Sequence, residues 1–221
     1  SLDRVKAIAP GYDIVPVYME ILSDVRTPIS VLKALKQVSS HTYLLESADN
    51  SNHWGRYSFL GYDPKIELFC KNHKMTIKDG TTRTFECSDP AAEIRNILSQ
   101  YKSPRLEELP TFTGGFVGYF ACEYIRYIEP TLDFPTPDDD SAMVNDVDLM
   151  LFDKVIAFDH YKNKIYLIAN ISTNDLERNY NKAELELKTL ADLVINGKEA
   201  DVPKGVLKTE FTSEFTKDEF E

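Results

Sequence analysis

Apolar positions along this chain recur in two rhythms, and the changes of rhythm mark out its elements. Tyr12–Ile21 carries valine, isoleucine and tyrosine around Pro16. A proline cannot donate to a sheet ladder, so this run predicts an edge strand. Thr27-Pro28 then opens a helix: threonine is the N-cap, proline takes the first helical position, and Val31, Leu32, Leu35 and Val38 share one face. From Thr42 the pattern turns to strand. Tyr43-Leu44-Leu45 is apolar and suits a buried strand, which breaks at Glu46-Ser47 into a polar loop, Ala48 to His53, of the small residues that turns favour. Tyr57–Gly61, Ile66–Cys70, Met75–Ile77 and Thr82–Phe85 follow as short strands of an antiparallel meander, with Asn72-His73 and Asp79-Gly80 at the turns.

Asp89-Pro90 repeats the cap-and-proline signal ahead of Ile94, Ile97, Leu98 and Tyr101, a second helix. Lys102–Thr113, charged and proline-bearing, reads as a surface connection. The glycine-rich run from Gly114 to Phe120 is followed by neither Gly-Lys-Ser/Thr nor GxGxxG, so close packing of a strand accounts for its glycines better than a phosphate loop. Glu123 to Glu129 suits a short helix. In Pro130–Asp140 the consecutive acids Asp138, Asp139 and Asp140 do not converge on a metal, and the segment reads as an exposed loop. Val147–Phe158 and Lys164–Ile171 form a hairpin across Asp159–Asn163, the first run apolar enough for a strand covered on both faces. Thr173 to Asn196 is the longest helix, striped by Leu176, Tyr180, Ala183, Leu187, Leu190 and Val194 and ending near Gly197. Thr216-Lys217-Asp218-Glu219 is a capping box, the start of a helix in a following domain, so the expected division is 1–210 and 211–221. Strands in runs with helices between them predict an α+β fold with antiparallel sheets.

Composition narrows the function. A chain of 221 residues is long enough to bury a sizeable core. A net charge of −11 and a pI near 4.9 argue against nucleic acid or an anionic membrane as partner. No apolar run approaches the ~18 residues of a spanning helix, and Ser1–Pro10 has no signal-peptide pattern. Cys70, Cys87 and Cys122 are widely spaced, which predicts free thiols in a reducing, cytoplasmic setting. His41, His53, His73 and His160 have no ligand spacing with them, so no zinc and no resident cofactor is expected.

Candidate chemistry gathers between Tyr43 and Tyr62. Glu46 and Ser47 stand at the mouth of a strand, and Arg56 returns nearby. Such a set suits a zwitterion, the acid and hydroxyl facing an ammonium and the guanidinium a carboxylate. A hairpin with a merely solvated loop would show the same pattern.

LLES at 44–47 with WGRYSFLG at 54–61, together with GYDIVPVYMEILSD at 11–24, GGFVGYFACEYIRYIEP at 114–130 and DLMLFDKVIAFDHYKNKIYLIANI at 148–171, resembles the anthranilate synthase large-subunit (component I) family of chorismate-utilising enzymes. The resemblance covers nearly the whole chain in the family's order. It implies conversion of chorismate to anthranilate with ammonia from a glutamine amidotransferase subunit (component II), and inhibition by L-tryptophan. The family's catalytic histidine, glutamates and magnesium site would lie beyond residue 221, in the protein's own carboxy-terminal chorismate-binding domain, so no catalytic residue carries over. Leu45, Glu46 and Ser47 match the family's Leu-Glu-Ser segment of the tryptophan site, and Arg56 lies near where the family offers a basic residue. The remaining tryptophan contacts would come from a proline-tyrosine motif in the other domain. The large subunit of aminodeoxychorismate synthase shares the fold, although WGRYSFLG, LFDKVIAFDH and IRYIEP look more like the anthranilate enzyme. A free-standing amino-acid-binding regulatory domain is a third alternative.

Overall fold

The computed structural model describes residues 1–24, 26–46, 55–129, 131 and 144–200, with 205, 206, 208, 209, 216 and 218. In chain order these hold α1 (Leu2–Ile8), β1 (Ile14–Leu22), α2 (Pro28–Leu35), β2 (Thr42–Glu46), β3 (Tyr57–Tyr62), β4 (Ile66–Lys71), β5 (Lys74–Lys78), β6 (Thr82–Glu86) and α3 (Pro90–Leu98). Then come β7 (Gly115–Phe120), a 3-10 turn at Cys122–Tyr124 that runs into α4 (Ile125–Ile128), β8 (Val147–Phe152), β9 (Lys154–Asp159), β10 (Lys164–Ser172) and α5 (Leu176–Asn196). The strands build two five-stranded antiparallel sheets, in the orders β1-β10-β9-β3-β2 and β6-β5-β4-β8-β7. The fold is α+β, as the pattern predicts.

Both cap signals work as read. The Thr27 hydroxyl accepts the Ser30 amide at 3.2 Å, and the Asp89 carboxylate accepts the Ala92 amide at 2.9 Å, with Pro28 and Pro90 supplying a fixed φ where no amide is needed. Val38 lies beyond the end of α2 and is exposed, so the α2 stripe stops at Leu35. Helix α1 has no counterpart in the sequence reading. Only Val5 of its seven residues is buried, too little for a periodic stripe.

The first sheet is buried on both faces. Ile156, Phe158, Ile165 and Leu167 face α2 and α5, where they meet Val31, Leu35, Ala183, Leu187 and Leu190. Val155, Ala157, Tyr166 and Ile168 face the other way, onto Leu106, Leu109 and Phe112. The segment 102–113 is therefore a cover over that face as well as a surface connection. In the second sheet Ile66, Leu68, Met75, Ile77, Leu149 and Leu151 pack on Ile94 and Ile97 of α3.

Three expectations need correction. The Val147–Phe158 run is two strands: β8 pairs β4 and β7 in the second sheet, and after Asp153 β9 pairs β3 and β10 in the first. Only β9 is covered on both faces, whereas β8 alternates buried and half-buried residues. Tyr57–Tyr62 belongs to the first sheet, so the meander is β4-β5-β6 alone. Finally, β2 is an edge strand of its sheet, with Tyr43 and Leu44 half-buried and Leu45 and Glu46 exposed. An apolar run at a sheet edge looks, in sequence, like one at its centre.

The glycine run serves close packing, as expected. A Cβ on Gly118 would lie 2.0 Å from the Asp148 carbonyl oxygen, so β7 approaches β8 only with glycine there. Among the described residues no helix is long and apolar enough to cross a membrane.

Candidate functional site

Two side-chain clusters stand where β2, β3 and β9 end beside one another. The register explains both. Leu45 pairs with Phe59 and Phe59 with Ala157, while Glu46 pairs with Ser58 and Ser58 with Phe158. Cross-strand partners share a face and successive residues alternate. Leu45 therefore sits on the face that Leu109 and Phe112 cover, and Glu46 on the face of α2 and α5.

Asp159 ends β9 on the Leu45 face, opposite Tyr57, and is fully buried. Its carboxylate accepts Arg56 Nε at 3.0 Å on Oδ1 and Arg56 Nη2 at 2.7 Å on Oδ2. The Tyr161 and Lys162 amides add bonds of 3.1 Å each to Oδ1, so the same carboxylate shapes the β9–β10 turn. The guanidinium also lies 4.8 Å from the Tyr57 ring centroid and 5.5 Å from that of Tyr161. Burial pushes the Asp159 carboxyl up, but the Arg56 hydrogen bonds and the two loop amides outweigh it and hold the group below the usual carboxylate range.

That direction fixes a pH dependence. An unfolded Asp titrates near ~3.9, above the folded value, so the stabilisation is complete above that range and is lost as pH falls through the depressed folded value. Arg56 is 35% exposed. Asp159→Asn should therefore cost on the order of 1–2 kcal/mol at neutral pH, between the ~0.2–1 of exposed pairs and the ~3–5 of a buried pair deprived of one partner. Urea melts at about pH 7 and about pH 3 check this. The cost should shrink in acid; a cost that stays constant would mean the pair's charge is not what stabilises the turn.

On the opposite face, Ser58 is buried. Its hydroxyl donates to Glu46 Oε1 at 3.2 Å and lies 2.7 Å from His160 Nε2. The His160 amide donates to the Arg56 carbonyl at 2.9 Å, which ties the two clusters together through the backbone.

The family model for chorismate binding enzymes matches residues 41–221, most of the chain and all of this region. The chain belongs to the chorismate binding enzyme family. It is 39% identical over 189 residues to anthranilate synthase component 1 of Acinetobacter calcoaceticus, covering 83% of this chain and 37% of that relative. It is 32% identical over 229 residues to anthranilate synthase component 1 of Aquifex aeolicus, covering 100% of this chain and 45% of the relative. The crystal structure of anthranilate synthase component I from Streptococcus pneumoniae aligns with a TM-score of 0.46 at 26% identity, over 76% of this chain and 36% of that one. The chain thus spans less than half the length of these relatives.

Of the four residues singled out in this chorismate binding family chain, three are described and Ser47 lies outside the described residues. Leu45 and Glu46 are adjacent but point to opposite faces. Arg56 stands on the Leu45 side, its charge matched by Asp159. Asp159, Ser58 and His160 escaped the sequence reading. WGRYSFLG and LFDKVIAFDH contain all three, yet what joins them is the pairing of Tyr57 with Asp159, and composition carries no trace of that register. A separate cavity of about 100 Å³ lies between the sheets, with Tyr101, Thr113, Gly114, Phe152, Asp153 and Asn170 in its wall and neither Glu46 nor Arg56. The Asn170 amide there is already spent on the carbonyls of Thr113 and Asp153.

Proposed function

We propose that this chain is the amino-terminal, tryptophan-binding portion of an anthranilate synthase component I, the enzyme that makes anthranilate from chorismate in tryptophan biosynthesis. The observation that carries the reading is the family match over 41–221, joined to similarity with anthranilate synthase components along nearly all of the chain. Residues 1–210 form the regulatory domain, and 211–221 begin the chorismate-binding domain. The catalytic groups and the magnesium site lie in that second domain, and ammonia comes from a glutamine amidotransferase subunit, component II, in the cytoplasm.

Tryptophan binds at the open end of β2. Glu46 and Ser47 meet its ammonium and Leu45 lies against the ring, while Arg56, paired with Asp159 on the opposite face, braces the strand end through the His160 amide that its carbonyl accepts. The inhibitor thereby reports end-product concentration at a place remote from the chemistry.

The experiment is a turnover assay with chorismate, magnesium and ammonium. The complete gene product should release fluorescent anthranilate, and the 221-residue chain alone should give no signal above a no-enzyme control. Robust turnover by the 221 residues alone would overturn the division of labour. Accumulation of aminodeoxychorismate by the complete protein would move it to the folate-type enzyme.

A further inference from the structure

Ser58 has one proton to give and two polar neighbours. A carboxylate oxygen carries no hydrogen, so the 3.2 Å contact with Glu46 Oε1 uses the serine O–H. The 2.7 Å contact with His160 Nε2 then requires the imidazole to donate and Ser58 to accept. The result is a one-way chain, His160 to Ser58 to Glu46, in which the Ser58 hydroxyl both donates and accepts. The reverse direction leaves the Glu46 oxygen facing a serine lone pair.

The fold holds this chain rigidly from behind. Ser58 is buried between Leu60 and the cross-strand Phe158, where a hydroxyl costs free energy unless it is fully bonded. His160 is exposed, yet its amide is fastened to the Arg56 carbonyl and its ring lies along Phe158, at 6.4 Å between centroids and 24° between planes. Arg56 is itself clamped by Asp159. Glu46, by contrast, is an exposed residue at the last position of an edge strand, with a long side chain that would otherwise sample many rotamers.

We infer that Ser58 and His160 are positioning residues for the amino-acid site: together they hold the Glu46 carboxylate in the orientation that receives the ligand's ammonium. The inference rests on the tryptophan reading above. Preorganisation raises affinity by removing the ordering cost from the binding step, so the relay acts on tryptophan affinity without touching tryptophan.

The test is calorimetric titration of L-tryptophan into the complete gene product and its variants. Ser58→Ala and His160→Leu, which break the chain, should each weaken binding roughly three- to tenfold, the scale of one side chain's lost order. His160→Gln, which keeps a donor near the Nε2 position, should bind within about twofold of wild type. A merely structural role predicts the opposite ranking, since leucine packs on Phe158 at least as well as glutamine does. His160 is exposed, so its variants fold even where Ser58→Ala does not, and thermal melts confirm it. Glu46→Gln separates the relay from the tryptophan site itself. If it weakens binding while Ser58→Ala and His160→Leu do not, the relay is overturned and the tryptophan reading stands. If Glu46→Gln binds tryptophan as wild type does, both fall.

Discussion

Ile156→Ala is expected to cost about 2–5 kcal/mol of folding stability, and Phe152→Ala about 3–5, the range of large-to-small changes in well-packed cores. Ile156 is fully buried in the middle of β9, paired with Leu60 on one side and Leu167 on the other. Its side chain belongs to the cluster that joins the sheet to α2 and α5, so its removal leaves a cavity that both layers must collapse to fill. Phe152 is 2% exposed and is the last residue of β8, one position before the chain crosses from one sheet to the other. Its ring meets Tyr43 edge-on, at 4.7 Å between centroids and 71°. Gly61 makes room for that contact, since a Cβ there would stand 2.2 Å from the Tyr43 ring. Losing Phe152 therefore loosens the junction of the two sheets as well as a core. The midpoint of urea unfolding reads both effects. Losses below roughly 0.5 kcal/mol, the range of surface substitutions, would mean these residues are not core.

How much of this was legible in the sequence depended on the range of the interaction. The helix signals at Thr27-Pro28 and Asp89-Pro90 are local chemistry: a hydroxyl or carboxylate three residues from an unpaired amide, and a proline where no amide is needed. Nothing distant decides them, so the sequence shows them plainly. The β9–β10 hairpin across Asp159–Asn163 is legible too, because Ile, Val, Leu and Phe are dense on both sides and the turn residues sit between the runs. The break at Asp153 is not. No glycine or proline marks it, and the chain changes sheets only because β4 and β7 wait on one side and β3 and β10 on the other. The exposure of Leu45 was hidden for the same reason, since an edge position is a property of the sheet order and not of the strand.

The candidate site divides along that line. Glu46 and Arg56 were found because a carboxylate and a guanidinium at strand ends are chemically conspicuous. Their actual partners, Ser58 with His160 and Asp159, follow from register. The pairs Glu46 with Ser58 and Tyr57 with Asp159 put Glu46 and the Arg56–Asp159 pair on opposite faces of one sheet. A linear reading treats the stretch as a single polar pocket, whereas the pleat makes it a two-sided strand end.

If this strand end, with Ser47, forms the proposed tryptophan site, a Ser47→Phe variant should lose sensitivity to tryptophan. On the proposed reading the Ser47 hydroxyl accepts from the ammonium of tryptophan. A phenyl group removes that acceptor and adds bulk where the ligand must enter. Loss of a hydrogen bond to a charged group is worth about 1.5–3 kcal/mol, or roughly ten- to a hundredfold in affinity. The measurement is anthranilate formation by the complete gene product across a tryptophan series, each curve normalised to its own rate without tryptophan. Ser47→Phe should move half-inhibition to a tryptophan concentration roughly ten- to a hundredfold higher. Half-inhibition at the wild-type concentration would contradict the proposed site.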